Sequence, residues 1–148
     1  MAGVATMSGA VTLVEAEDRW VLPLSGRSVD RLCIDFAVTL MFSGGLELRI
    51  EQPFVVQRAD GSEVLLVPGG DPDRLGSVTM LARQTVVEAE AFKDGHLRIS
   101  FSDGAILGAP ADEGFEAWEL VGPAGLRTVS LPGGELAVWR PDGDAAGR

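Results

Sequence analysis

The chain contains, at positions 40–48, the stretch Leu40-Met41-Phe42-Ser43-Gly44-Gly45-Leu46-Glu47-Leu48. A second stretch, at positions 99–107, reads Ile99-Ser100-Phe101-Ser102-Asp103-Gly104-Ala105-Ile106-Leu107. Phe, Ser, Gly and Leu coincide in the same order, and a Gly-containing turn falls in the same place. Short apolar runs on either side of such a turn are typical of β-hairpins. The sequence therefore predicts that one β unit occurs twice.

The similarity continues on both sides of the hairpins. The corresponding pairs are Leu24 and Leu81, Val29 and Val86, Leu32 and Ala89, Ile34 and Ala91, and Phe54 and Phe115. The spacing drifts at the Lys93–His96 turn, and small length changes are tolerated at hairpin tips. The repeats cover about residues 22–70 and 79–140, at about 58 residues per unit, which is in the usual range for repeats.

These features predict a mainly β fold in which two pseudo-repeated antiparallel β-meanders pack as a sandwich or flattened barrel. Residues 46–51 alternate apolar and charged side chains, as a half-buried strand does. Residues 97–101 alternate after the Lys93–His96 turn, where Asp-Gly predicts a type I′ hairpin. The stretch between the repeats, residues 71–81, predicts at most one short helix or 3₁₀ turn.

The domain organisation follows from the same patterns. We expect residues 1–18 to form a flexible N-terminal segment and residues 19–140 to form a single all-β domain. Residues 141–148 are polar and rich in Gly and Ala, so we expect a disordered tail there.

The charge of the chain excludes some partners and favours others. Its 148 residues include 12 Lys and Arg against 22 Asp and Glu, for a net charge of −10. A field of this sign repels phosphate, which argues against binding to nucleic acid or to anionic membranes. It favours a basic protein partner reached by electrostatic steering.

The location of the protein is expected to be cytoplasmic. Cys33 is the only cysteine, so no intrachain disulfide can form and nothing indicates an oxidising compartment. The first residues, Met1–Val14, lack the basic region and the long apolar region of a signal peptide. No apolar run is long enough to span a membrane.

Residues suited to catalysis or metal binding are few. One histidine, His96, and one cysteine cannot build a zinc site, and no nucleophile elbow occurs. Asp71, Asp73 and Gly76 match the start of a calcium loop, but its last carboxylate is missing and helix capping explains them better. Carboxylate pairs stay an open alternative, because sequence gives no distances. We therefore assign no catalytic residue, metal or cofactor, and the balance is against an enzyme.

The aromatic residues are the most informative candidates for a binding site. The stretch around Trp118 alternates so that a large apolar group shares a face with a carboxylate, which suits a contact surface. The predicted binding residues are Phe115, Glu116, Trp118, Glu119 and Trp139. In the alternative, Trp20, Trp118 and Trp139 close the ends of the core.

Three stretches carry a resemblance to a known family. They are Trp20–Gly26, Phe115–Leu120 and Leu131–Trp139, and the last contains Leu131-Pro132-Gly133-Gly134. The chain resembles a family of small uncharacterised proteins found mainly in actinobacteria and grouped as a domain of unknown function. The resemblance implies no activity and no catalytic residues, and it implies a bacterial cytosolic origin.

Three functions agree with these observations. The first is a non-catalytic protein-interaction module, in a specific form an acidic immunity-type inhibitor of a basic toxin. The second is a small-ligand-binding protein or enzyme with its site between the two β repeats. The third is a homo-oligomer that pairs through exposed sheet edges.

Overall fold

The computed structural model describes residues 11–141. Within this range the chain forms two open antiparallel sheets that pack face to face as a sandwich. The strands are β1 (Val14–Glu15), β2 (Arg19–Val21), β3 (Val29–Ile34), β4 (Val38–Phe42), β5 (Leu46–Ile50), β6 (Phe54–Gln57), β7 (Glu63–Leu66), β8 (Val86–Phe92), β9 (Leu97–Phe101), β10 (Ile106–Ala109), β11 (Trp118–Val121), β12 (Arg127–Ser130) and β13 (Leu136–Trp139). The prediction of a mainly β sandwich is confirmed.

The two sheets exchange strands between the repeats. The first sheet has the order β1-β2-β8-β9-β10-β6-β7, and the second has the order β13-β12-β11-β5-β4-β3. Each repeat begins with a three-stranded meander, β3-β4-β5 or β8-β9-β10, and its next hairpin then crosses to the sheet of the other repeat. The repeats are therefore interlocked, whereas the sequence suggested two separate meanders.

A short helical segment joins the repeats, as predicted. Helix α1 (Pro72–Leu75) begins after Asp71, whose side chain accepts a hydrogen bond from the backbone N–H of Asp73 at 3.0 Å. A 3₁₀ helix (Gly76–Leu81) follows directly. Capping thus accounts for Asp71, and the buried residues of the segment pack into the core.

A local two-fold relation between the repeats is visible in their backbone hydrogen bonds. Ser28 of the first repeat forms an isolated antiparallel bridge with its equivalent, Thr85. On either side, the N–H of Gly26 donates to the carbonyl of Val86, and the N–H of Arg83 donates to the carbonyl of Val29, both at 2.8 Å. Strands β3 and β8 also carry a bulge at the same place. The duplication seen in the sequence is thus a duplication of structure.

The correspondence of Phe54 with Phe115 is wrong. Phe54 opens β6 and is 0% exposed, and in the second repeat this place belongs to Trp118, which opens β11 and is 1% exposed. Phe115 lies in the preceding connection and is 67% exposed. The connection into β11 is longer than the one into β6, which shifts the alignment.

The Lys93–Gly95 turn is also different from the predicted type. Among the described residues only Arg83 and Ala124 have positive φ outside glycine, so Asp94 lacks the positive φ that a type I′ turn requires. The N–H of Phe92 donates to the carbonyl of His96 at 2.8 Å, which closes a three-residue loop. Gly95, with φ of 102°, is the residue in this loop that has the left-handed conformation.

The core fills the space between the sheets. The largest fully buried side chains include Trp118, Phe54, Leu40, Leu48 and Ile99. Residues 11–18, which we expected to be part of a flexible segment, contain strand β1 and a buried Leu13. The expected tail beyond residue 141 and the first ten residues lie outside the described range. Among residues 11–141, no helix has the length and hydropathy needed to cross a membrane.

The two-fold relation predicts opposite effects of substitution at Gly26 and Arg83, which occupy equivalent positions with φ of 82° and 65°. We expect Gly26→Ala to lower the free energy of unfolding by about 1 kcal/mol, because an L-residue is strained at this φ. No atom lies within 4 Å of the added Cβ, so no steric cost is expected. Arg83→Gly should raise the free energy of unfolding, by up to about 1 kcal/mol. Urea denaturation measures both values, and shifts of the same sign would contradict the assignment.

Candidate functional site

Three connections meet at one end of the sandwich, and we call their assembly the acidic end. They are the turn Lys93–His96, the connection Pro110–Ala117 and the turn Leu131–Glu135. The N–H of Gly133 donates to the carbonyl of Asp112 at 2.8 Å, which joins the second connection to the third. The first connection is joined to the rest through Gly95.

The carbonyl of Gly95 is the anchor of the acidic end. It accepts a hydrogen bond from Trp118 Nε1 at 3.0 Å and another from Ser130 Oγ at 2.8 Å. Both donors are buried, since Trp118 and Ser130 are 1% and 0% exposed. A buried indole N–H and a buried hydroxyl each need a partner, and one turn carbonyl satisfies both. The turn is therefore fixed to the core beneath it.

A close backbone contact adds to this anchor. A Cβ added to Gly134 would lie 2.3 Å from the carbonyl oxygen of Asp94, and one added to Gly95 would lie 2.5 Å from Gly134 Cα. Only glycine allows the two turns to approach this closely. Gly134 of the Leu131–Glu135 turn thus serves the packing of the two turns.

Two aspartates shape the surface loops. The carboxylate of Asp112 accepts hydrogen bonds from the N–H groups of Gly114 at 2.9 Å and Phe115 at 3.0 Å. This turn holds the Phe115 ring in solvent, where it is 67% exposed. Asp94 accepts from the N–H of His96 at 3.0 Å and lies 2.7 Å from its Nδ1. These bonds, the backbone N–H first, hold the pKa of Asp94 below its ordinary value.

The acidic end carries several carboxylates besides the exposed phenyl ring of Phe115. The three connections carry the acids Asp94, Asp112, Glu113, Glu116 and Glu135. Lys93 is their one permanent cation, and its Nζ lies 2.6 Å from Glu15 of β1. The ring of His96 stacks on Phe92 at 4.2 Å between centroids. The acidic end is therefore strongly negative around an apolar centre.

A second group of residues lies on the outer face of the second sheet. Arg127 forms an ion pair with Glu119 on the neighbouring strand. Its guanidinium carbon also lies 4.8 Å from the centroid of the Trp139 ring, which is 42% exposed. The half-exposed indole of Trp139 on β13 is therefore already in cation–π contact with Arg127 on β12.

The five residues predicted from sequence are therefore divided among three environments. Phe115 and Glu116 lie together at the surface of the acidic end. Glu119 and Trp139 lie on the outer sheet face, connected through Arg127. Trp118 belongs to the core and acts on the surface only through its bond to Gly95. Trp20 is buried as well, at 9% exposure, so among the three tryptophans only Trp139 is substantially exposed.

The five predicted binding residues leave out four carboxylates of this site, namely Asp94, Asp112, Glu113 and Glu135. The connection that carries Asp112 and Glu113 has no strand pattern, and the turn that carries Glu135 is distant along the chain. One local signal was available, because Asp followed two residues later by Gly marks an Asx turn at Asp112. That signal identifies a turn but not the surface to which it belongs.

Other kinds of site have little support in the described residues. Among residues 11–141, no group of three or more His, Cys, Asp and Glu side chains could hold a metal ion. One surface hollow of about 300 Å³ lies on the first sheet beside Val21, Val87 and Glu88. Another, of about 270 Å³, lies at Gly108. Neither is lined by Trp118 or Glu116, so the ligand site between the repeats stays a prediction.

The comparison with protein families covers both repeats and the acidic end. Residues 20–140 match a family of unknown function, DUF6188. The chain belongs to this family. The resemblance drawn from Trp20–Gly26, Phe115–Leu120 and Leu131–Trp139 is thus confirmed at the level of the family. No curated protein matches the chain. No solved structure matches it either. Membership of DUF6188 brings no activity with it.

The anchor of the acidic end predicts unequal effects at two adjacent glycines. Gly134→Ala should lower the free energy of unfolding by about 2–4 kcal/mol, because its Cβ collides with the Asp94 carbonyl and its φ is 104°. Gly133→Ala is the matched control, with φ of 88° and no atom within 4 Å of the added Cβ, so about 1 kcal/mol is expected. Equal losses in urea denaturation would mean that the close contact does not matter.

The lowered pKa of Asp94 predicts a pH dependence. A carboxylate with a depressed pKa stabilises the folded state above its unfolded pKa, and this stability is lost as pH falls through the folded pKa. Asp94→Ala should therefore be less stable than the wild-type chain at pH 7. The difference should shrink below about pH 4. Thermal unfolding from pH 7 to pH 3 measures it, and a constant difference would contradict the assigned hydrogen bonds.

Proposed function

We propose that this DUF6188 protein is a non-catalytic protein-interaction module whose acidic end binds a basic protein. The observation that carries the proposal is the exposed Phe115 ring, whose backbone N–H is bonded to Asp112, on a surface formed by three connections that carry five carboxylates. A large aromatic ring at the centre of a charged rim is the usual composition of a binding hot spot. The net charge of −10 would steer a basic partner towards the molecule.

The rigidity of the acidic end supports binding. The carboxylates of Asp94 and Asp112 accept hydrogen bonds from backbone N–H groups of their own turns, and the carbonyl of Gly95 is bonded to the buried Trp118. A surface that is ordered before contact loses little conformational entropy when a partner binds. Glu113, Glu116 and Glu135 are exposed or nearly so, and their charges are available to pair across an interface.

A specific form of this proposal is inhibition of a basic toxin, as immunity-type proteins do. A basic enzyme that acts on nucleic acid has a positively charged groove, and an acidic protein surface with a central ring can occupy such a groove. We include a cytoplasmic location in the proposal, where the half-buried Cys33 would stay reduced. A gene for a basic toxin beside the gene of this chain would support the specific form.

The proposal is tested by a charge reversal with a matched control. In one variant, called the tip variant, Glu113, Glu116 and Glu135 of the acidic end are changed to lysine, and in the control variant Glu17, Glu47 and Glu88 are changed in the same way. Both have the same net charge, and all six side chains lie on the surface. The chains are immobilised and exposed to an extract of the source cells, and bound proteins are quantified by mass spectrometry.

We expect a basic protein that the wild-type chain and the control variant retain and that the tip variant loses. The purified partner should then bind Phe115→Ala at least about tenfold more weakly than wild type, as truncation of a central aromatic residue does. High salt should weaken binding, because attraction between opposite charges is screened. Equal retention by all variants would disprove a role of the acidic end.

A further inference from the structure

The two lateral edges of the sandwich are finished differently. On one side, β2 covers β8 of the first sheet and β13 covers β12 of the second. On the other side, β7 and β3 are the last strands of their sheets within residues 11–141. In the two-fold relation, β3 is equivalent to β8, and β7 is equivalent to β12. The first repeat therefore lacks both of the strands that cover the second.

Equivalent residues show what the missing strands would cover. Val129 of β12 lies opposite Ala137 of β13 and is 1% exposed, whereas its equivalent in β7, Leu65, is 61% exposed. Ala91 of β8 lies opposite Trp20 and is 0% exposed, whereas its equivalent in β3, Ile34, is 43% exposed. The open edge thus has exposed apolar side chains at positions that the other edge buries.

The two open strands are not equally available for pairing. Strand β3 has a bulge next to Asp30 and carries the charged pair Asp30 and Arg31, and such features prevent pairing at edges. Strand β7 has no bulge in its pairing with β6, and it continues as Val64-Leu65-Leu66-Val67 before Pro68. Its only charged residue is Glu63. Strand β7 is therefore the unprotected edge.

We propose that a second copy of this chain pairs with β7, strand against strand, so that the first sheet continues through the pair of copies. The two β7 strands would run antiparallel around a two-fold axis at Leu65. Leu65 then lies opposite the Leu65 of the other copy, and Val64 lies opposite Leu66. Such an arrangement is isologous, as in most homodimers.

The internal repeat supports this occupant. Strand β13, which covers the equivalent strand β12, is antiparallel to it, and its sequence Leu136-Ala137-Val138-Trp139 is uncharged. The segment 64–67 of a second copy is also uncharged and apolar. In this register the Leu65 of the second copy takes the place that Ala137 has opposite Val129. Val64 and Leu66 of the second copy, which face inward, would extend the core as Leu136 and Val138 do.

Charge is compatible with a second copy in this register. Glu63 lies opposite Val67, so the two Glu63 carboxylates are displaced by four residues along the pair, about 14 Å apart. No like charges therefore face each other across the new strand pair. Each copy has a net charge of −10, so long-range repulsion opposes association at low salt and is screened at high salt. The dimer should consequently tighten with salt, whereas a complex at the acidic end should weaken.

Sedimentation equilibrium of the full chain tests the proposal. We expect a monomer–dimer equilibrium whose dissociation constant falls as salt rises from about 50 to about 500 mM. Over this range the Debye length shortens from about 14 Å to about 4 Å, so the repulsion between the two copies is screened. In Leu65→Lys, the lysines of the two copies face each other across the two-fold axis. Their repulsion should raise the dissociation constant at least about tenfold. Val87→Lys is the matched control, because Val87 is 50% exposed on β8 of the same sheet. If the chain stays monomeric at every concentration up to about 1 mM, its dissociation constant is above about 1 mM, and the proposal is overturned.

A cysteine pair tests the register. In a Cys33→Ser background, Leu65→Cys places two thiols directly opposite each other, with Cβ atoms about 5 Å apart, so that a small shift brings them to the separation of about 3.5–4.5 Å found in disulfides. Glu63→Cys, on the same strand and the same face, places them too far apart. Mild oxidation should therefore give a covalent dimer with Leu65→Cys and little with Glu63→Cys. Equal cross-linking of both variants would overturn the register. Neither experiment depends on the acidic end, so the two proposals can fail separately.

Discussion

The fold depends on two strand pairings that join the repeats, β5 with β11 in the second sheet and β10 with β6 in the first. In these pairings Leu48 lies opposite Leu120 and Leu107 lies opposite Val56, and all four side chains are 0% exposed. A three-stranded meander alone would leave an apolar face and two edges in water. Each exchanged hairpin pairs with one edge of the other repeat's meander and extends the sheet to which that meander belongs. Neither repeat can bury its core without the other.

The interlocked arrangement explains why the two ends of the molecule could diverge. The backbone common to both repeats is held by the shared pairings and by the bridge between Ser28 and Thr85, and β2 and β13 are added outside it. The second repeat carries β13 and is covered by β2, and its side chains Trp118 and Ser130 both bond to the carbonyl of Gly95. The first repeat ends in the open strand β7. One duplicated framework thus presents an acidic end and an apolar edge.

These two surfaces suit different partners because their physical chemistry is different. The acidic end combines several carboxylates with one exposed ring, and the binding proposed there would depend on charge. The open edge offers the outer side of β7 and Leu65, and the pairing proposed there would depend on strand pairing and burial. We therefore expect salt to act on the two proposed complexes in opposite directions. Both surfaces lie within residues 20–140, the part of the chain that matches DUF6188.

The sequence by itself determined the strand pattern, the duplication, the short capped helix and the family, because these depend on local periodicity and on turn residues at fixed spacing. Phe115 and Glu116 were predicted as site residues from the same alternation. Only the tertiary structure decided that Trp118 is buried, that Phe54 corresponds to it, and that Asp112 and Glu135 join Phe115 at one surface. The exchange of hairpins brings together segments that are distant along the chain, and no local pattern encodes which sheet a hairpin enters. Burial and proximity are properties of that pairing, so the chain order could not reveal them.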